Sequence, residues 1–224
     1  MGVGWTGAVL SKLRAADARV FDPMRDHYGR LLGRILSGCG SVLDVGCGSD
    51  SPLGRLEGRK GHRVGVDIHE GDLQASRRAG IHEAYAVLDV TLLRSAFRPR
   101  SFDCVLASDL IEHLEKDAGY ELISAMEELA RRRVVVFTPN GFLEQPPDPD
   151  NPWQEHVSGW TVEELEGLGY RVLGVNGWRP LRTMYAEVRF RPLPLWERLS
   201  VLTQPLTEGR PRRAFQLLAM KDLA

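Results

Sequence analysis

Ser41-Val42-Leu43-Asp44-Val45-Gly46-Cys47-Gly48-Ser49-Asp50-Ser51 is the stretch on which the reading of the chain turns. Residues 41–44 have the length and apolar character of a short buried strand that ends in a carboxylate. Glycines follow at alternate positions, 46 and 48, where a backbone can turn sharply and lie close to a ligand. A strand that runs into a glycine-rich turn opens the ligand site of open α/β sheets.

Outward from that turn, strand and helix signals alternate. A short helix through Leu53 and Leu56 ends at Gly58 and Gly61, and residues 63–68 read as a second strand. Residues 72–79 form a helix stopped by Gly80, and further strands follow at 84–89 and 102–107. A long amphipathic helix carries Leu110, Ile111, Leu114, Leu122, Ile123, Met126 and Leu129. The apolar run 134–137 is the fifth strand. Thr161 caps another helix, Glu164 completes its capping box, and Gly167 and Gly169 end it. Strands at 170–175 and 214–220 close the pattern, with a Pro- and Arg-rich stretch between them. Upstream, residues 5–36 read as helical: Leu10, Leu13 and Val20 share one side, Asp22-Pro23 resembles a helix start, and Tyr28, Leu31, Leu32, Ile35 and Leu36 make a buried stripe. Arg25, Arg30 and Arg34 face out. Strand–helix alternation implies right-handed crossovers and a parallel sheet covered on both faces.

The 224 residues, 43% hydrophobic and 26% charged, suit one soluble globular domain. Its expected parts are N-terminal helices (1–37), a core (38–177), an insertion (178–213) and a last strand (214–224). Lys+Arg 29 against Asp+Glu 30 leaves no global attraction for nucleic acid, which is not expected as a partner. Cys39, Cys47 and Cys104 show no CxxC spacing and no histidine cluster of the zinc type, so no metal is expected. Sparse, odd cysteines point to a reducing compartment, the cytoplasm. Residues 1–10 lack a basic region followed by an apolar run, and no apolar segment approaches membrane-spanning length.

Two ligands fit the turn: a dinucleotide or S-adenosylmethionine. The dinucleotide fingerprint would need a third glycine at Ser51. Asp44 would also repel a pyrophosphate on the following helix N-terminus, whereas it suits a cationic amino group near a sulfonium. Asp67 and Asp89 each end a successive strand, where carboxylates accept ribose hydroxyls or an adenine amine. Each alone would more simply cap a helix; the three together beside the glycine turn favour the ligand.

Residues 42–48, Val66-Asp67, Leu88-Asp89, residues 102–106 and Ile111-Glu112-His113-Leu114 together resemble the class I S-adenosylmethionine-dependent methyltransferases, in their small-molecule, type 11-like branch. The resemblance covers residues 38–177. It implies a doubly wound, Rossmann-like α/β fold with a seven-stranded, mostly parallel sheet and an antiparallel last strand. It also implies S-adenosyl-L-methionine as cofactor. Asp44, Val45, Gly46, Cys47 and Gly48 would hold its methionine part, Asp67 and Ile68 the ribose, Asp89 and Val90 the adenine, with Ser108 and His113 lining the methionine side. The sequence departs from the family pattern in placing Asp50 within a Ser49-Asp50-Ser51-Pro52 turn.

The implied activity is methyl transfer to a small-molecule acceptor, by O- or C-methylation of a natural-product, quinone or glycan-type compound. An RNA or protein methyltransferase and a non-catalytic cofactor-binding protein are the alternatives. Ala107-Ser108-Asp109-Leu110 stands where amide and adenine N-methylating relatives carry an Asn/Asp-Pro-Pro-aromatic motif, which counts against those acceptors. His156 and His113 are the candidate general bases; a loop histidine such as His156 is more often a hydrogen-bonded anchor. Trp153 and Trp160 would wall the acceptor or pin the loop, and Thr138-Pro139-Asn140-Gly141 reads by default as a local turn, with Asn140 at the site mouth as the alternative. A homodimer is compatible with the sequence.

Overall fold

The computed structural model describes residues 26–56, 61–183 and 187–224. The expected first helical segment, the Asp22-Pro23 helix start, Arg25 and Gly58 lie outside them. Helix α1 (His27–Ile35) is capped by Asp26, whose side chain accepts from the Gly29 amide, and buries Leu31, Leu32 and Ile35 as the stripe predicts. The chain then runs β1 (Ser41–Val45), β2 (His62–Asp67), α2 (Glu70–Ala79), β3 (Ala84–Val87), α3 (Leu93–Ala96), β4 (Phe102–Ser108), α4 (Lys116–Leu129) and β5 (Ala130–Pro139). It ends with α5 (Val162–Gly167), β6 (Arg171–Trp178), α6 (Leu193–Glu208) and β7 (Ala214–Asp222).

The seven strands form one sheet in the order β3-β2-β1-β4-β5-β7-β6. β1 to β5 pair in parallel, and β7 lies antiparallel between β5 and β6. Val45 registers with Val66 on one side and Ala107 on the other, so β1, β2 and β4 end level. The strand order reverses between β1 and β4, and that switch point is where an open α/β sheet presents a crevice. Two apolar layers cover the faces: Leu43, Val45, Val105, Met126 and Trp160 belong to one, Leu32, Val42, Leu106 and Val135 to the other.

Three elements differ from the sequence reading. The helix expected from Leu110 begins only at Lys116. Asp109 adopts a left-handed φ of 49° and Leu114 is extended, so residues 111–113 form an isolated 3-10 turn. The helix after β1 is likewise reduced to a 3-10 turn, Pro52–Arg55, because Leu56 is extended. Third, the 178–213 stretch contains the 16-residue helix α6. Among the described residues no helix is long and apolar enough to cross a membrane.

Candidate functional site

A cavity of about 350 Å³ opens at the carboxyl ends of β1, β2 and β4. Its lining includes Asp44, Gly46, Cys47, Gly48, Asp67, Ile68, Asp89, Val90, Ser108 and His113, which is every residue expected at the cofactor except Val45. Val45 is a correction: its side chain is fully buried in the core cluster, because alternation along β1 turns it away from the cavity.

The glycine turn is built for close approach. Gly46 has φ 64° and Gly48 has φ 54°, both left-handed. A side chain at Gly46 would meet Leu110 Cδ1 at 2.5 Å, whereas the space beside Gly48 is open. Asp67 anchors the turn: its Oδ2 accepts from the Gly48 amide at 2.8 Å and its Oδ1 from the His69 amide at 2.8 Å. Burial raises the Asp67 carboxyl above its ordinary range, against those two donated bonds.

Asp44 is 1% exposed and its Oδ2 is doubly engaged. Ser51 Oγ donates to it at 2.5 Å, and His82 Nε2 lies 2.8 Å away. The His82 side chain is itself fully buried, with Ser76 Oγ 3.4 Å from its Nδ1. His82 carries no motif in the sequence, and only the pairing of β1, β2 and β3 brings it behind Asp44. Asp89 follows β3 by two residues and its Oδ1 caps the next turn, accepting from the Thr91 amide and hydroxyl. Capping and cavity lining are therefore both true of Asp89. Ser108 Oγ lies 3.0 Å from the Tyr28 hydroxyl, and Tyr28 stacks on Phe137 at 4.0 Å.

A second recess of about 310 Å³ shares Asp109, His113 and Gln154 with the first cavity and adds Glu112, Gln145 and His156. The 156–160 loop is stitched to the 111–113 turn. The Val157 and Ser158 amides donate to the Glu112 carbonyl, while Ser158 Oγ and Trp160 Nε1 donate to the Ile111 carbonyl. His113 Nδ1 is 2.9 Å from the Glu155 carbonyl and His156 Nδ1 is 2.7 Å from the Leu143 carbonyl. Burial lowers the affinity of both imidazoles for a second proton. His156 is thus a loop anchor through one nitrogen while its ring lines the recess.

Asp109 and Glu112 escaped the sequence reading as site residues. The walls around Asp109 deprive its carboxyl of bulk water and push it up to about 7, and its Oδ1 accepts from Gln216 Nε2 at 3.1 Å. Glu112 is 2% exposed; burial, then the neighbouring Asp109, raises its carboxyl well above the carboxylate range. The two tryptophans divide. Trp153 is exposed at the cavity edge, and Trp160 is a fully buried core residue. Asn140 does not sit at the mouth: it is buried, and its Nδ2 donates to the carbonyls of Pro211, Arg212 and Ala214.

Residues 43–143 match the family model described as a methyltransferase domain. No curated protein matches the sequence. Solved structures share the fold. A SAM-dependent methyltransferase from Archaeoglobus fulgidus superposes with a TM-score of 0.55 at 20% identity, over 94% of this chain and 99% of that one. The methyltransferase domain of bacterial CtHen1-C gives 0.57 at 15%, over 90% and 99%. Magnesium protoporphyrin IX methyltransferase from Synechocystis PCC 6803, with bound SAH, gives 0.53 at 13%, over 91% and 85%. Residues 43–143 therefore carry a methyltransferase domain, on the Rossmann-like sheet that these solved structures share.

Proposed function

We propose that this chain is a class I S-adenosylmethionine-dependent methyltransferase that acts on a hydroxyl or an activated carbon of a small-molecule acceptor. The observation that carries the reading is the second recess, with neutral imidazoles and buried carboxylates grouped beside the cofactor cavity. The imidazoles can accept a proton, and an acceptor that must lose one needs them; a neutral amine does not.

The residues present fit the cofactor. Gly48, with open space at its α-carbon, lets the backbone approach the amino-acid part, and the Asp44 carboxylate complements its ammonium group. Asp67 receives the ribose hydroxyls, and Asp89 with Val90 borders the base. The bound cofactor supplies an electrophilic methyl group on a sulfonium. The chain's own part is to orient both molecules and to exclude water from the space between the cavities. His113 and His156, each fixed through Nδ1, present their second nitrogens to accept or hold a proton.

The acceptor would be a quinone-, phenol- or sugar-sized compound, since the recess holds about 310 Å³. Incubation with methyl-labelled S-adenosylmethionine and a panel of phenols, sugars, amines, RNA and protein tests this. Label on an oxygen or a ring carbon of a phenol or sugar is expected; label confined to RNA, protein or amines overturns it.

A further inference from the structure

We propose that Glu112, His113 and His156 form a binding site for a divalent transition-metal cation, in the wall between the cofactor cavity and the second recess. One carboxylate oxygen of Glu112 and one ring nitrogen of each histidine lie within 4.8 Å of one another. Ligands about 2.1 Å from a tetrahedral ion stand ~3.4 Å apart, so a contraction of up to ~1.4 Å closes the set.

The hydrogen bonds around the cluster are those of a site awaiting a cation. A backbone carbonyl can only accept, so the Glu155 and Leu143 carbonyls require the proton on Nδ1 of His113 and His156. Each neutral ring then carries its lone pair on Nε2, the tautomer that a metal needs. Glu112 Oε2 accepts from Thr138 Oγ1 at 3.0 Å, an outer contact that orients the carboxylate. Glu112 Oε1 is buried and has no hydrogen-bond partner among the described residues. Anchoring the loop explains one nitrogen of each histidine; it does not explain an orphaned carboxylate oxygen, which is costly to leave unpaired in the interior. A cation answers both.

Two imidazoles and a carboxylate suit zinc, cobalt, nickel or manganese better than magnesium or calcium, which favour all-oxygen sets. Three protein ligands leave coordination positions open toward the recess, where an acceptor oxygen would bind. The assignment reverses the sequence expectation of no metal. Only this last consequence rests on the proposed function: the histidines become ligands, and the acceptor becomes one that offers an oxygen to the ion.

The test uses the full chain stripped with a chelator and titrated calorimetrically with zinc chloride and cobalt chloride, without cofactor. One equivalent should bind, with cobalt giving visible d–d absorption. E112Q and H156A should each weaken binding by at least ~100-fold, since even outer partners of a metal cost 10- to 100-fold. H62A, at an exposed histidine on β2, should leave it unchanged. Cofactor binding by each protein reports its fold, and H156A carries the test if E112Q does not fold. Absence of stoichiometric binding, or equal binding by the parent, E112Q and H156A, overturns the site. Methylation of hydroxylic acceptors undiminished by chelator, with no metal bound, would sink the metal site alone. Metal bound through Glu112 without any hydroxylic acceptor methylated would uphold the site and sink the acceptor reading alone.

Discussion

Gly46 and Gly48 share a left-handed φ but differ in surroundings, and that difference separates stability from binding. An alanine in this conformation costs about 1–2 kcal/mol. At Gly48 the added methyl group meets open space, so Gly48→Ala should fold with that loss alone and lose cofactor affinity, because the methyl borders the cavity. At Gly46 it would also displace Leu110, so Gly46→Ala should show the larger fall in melting temperature. Thermal unfolding with calorimetric titration of S-adenosylmethionine separates the two; equal melting temperatures would contradict the packing argument. Behind the turn, His82 holds Asp44. His82→Leu should cost about 1–3 kcal/mol of stability by stripping a buried carboxylate of a partner. It should also weaken cofactor binding, with His82→Gln recovering part of both. The glycines and Asp44 were legible because spacing announces them. His82 was not, since a partner thirty-eight positions away becomes visible only once β1, β2 and β3 are laid side by side.

At the scale of elements, the pattern of strands was read correctly because parallel strands buried on both faces are near-continuous apolar runs. Helices were read less well where their faces broke the usual rule. In α6 the buried face is Ser200, Val201, Gln204 and Thr207, polar at three of four positions, while Leu195, Leu199, Leu202 and Leu206 are exposed. Pro205 interrupts the interior of the same helix. The helix instead lies on the glycines of β6: a side chain at Gly177 would come within 2.6 Å of the Ser200 carbonyl, and one at Gly174 would strike that of Thr207. An inverted pattern resting on glycines gives no amphipathic signal to read. The start of α4 was misplaced for a different reason: the apolar spacing of Leu110, Ile111 and Leu114 continues the helix, and only the backbone at Asp109 and Leu114 breaks it. That break lets the 111–113 turn present Glu112 and His113 together. Within α4, Gly119 is explained by Trp160, whose Cζ2 lies 2.5 Å from where a β-carbon would stand. Gly119→Ala gains helix propensity of about 1 kcal/mol, yet Trp160 is fully buried and cannot yield. A net destabilisation of about 1–3 kcal/mol is therefore expected in chemical denaturation; a more stable variant would show that Trp160 has room to move.

For the molecule as a whole, the buried carboxylates of the recess set a pH dependence whose sign is fixed. Glu112 is neutralised more readily in the folded protein than in the unfolded chain, because burial and Asp109 raise it. Between the unfolded value near ~4.3 and the raised folded value, the folded state holds the extra proton. Its contribution is thus fully present below pH ~4.3 and is lost as pH rises through the folded value. The lowered histidines His27, His113 and His156 act in the opposite sense. For these the unfolded chain binds the extra proton below pH ~6.5, so stability falls as the solution is acidified past that point. Glu112→Gln removes the first effect and leaves the second. In the metal-stripped protein at pH 8 the variant should be the more stable. For a chain of this size each kcal/mol gained would raise the melting temperature by roughly 2–4 °C. The advantage should shrink steadily as pH is lowered toward 4. Added zinc should raise the melting temperature of the parent and leave the variant where it was, because a cation binds the ionised Glu112 and stabilises only the folded state that presents it. A difference in melting temperature between parent and Glu112→Gln that stays constant from pH 4 to 8, with a parent blind to zinc, would mean that the Glu112 carboxylate is neither strained by its burial nor reserved for an ion.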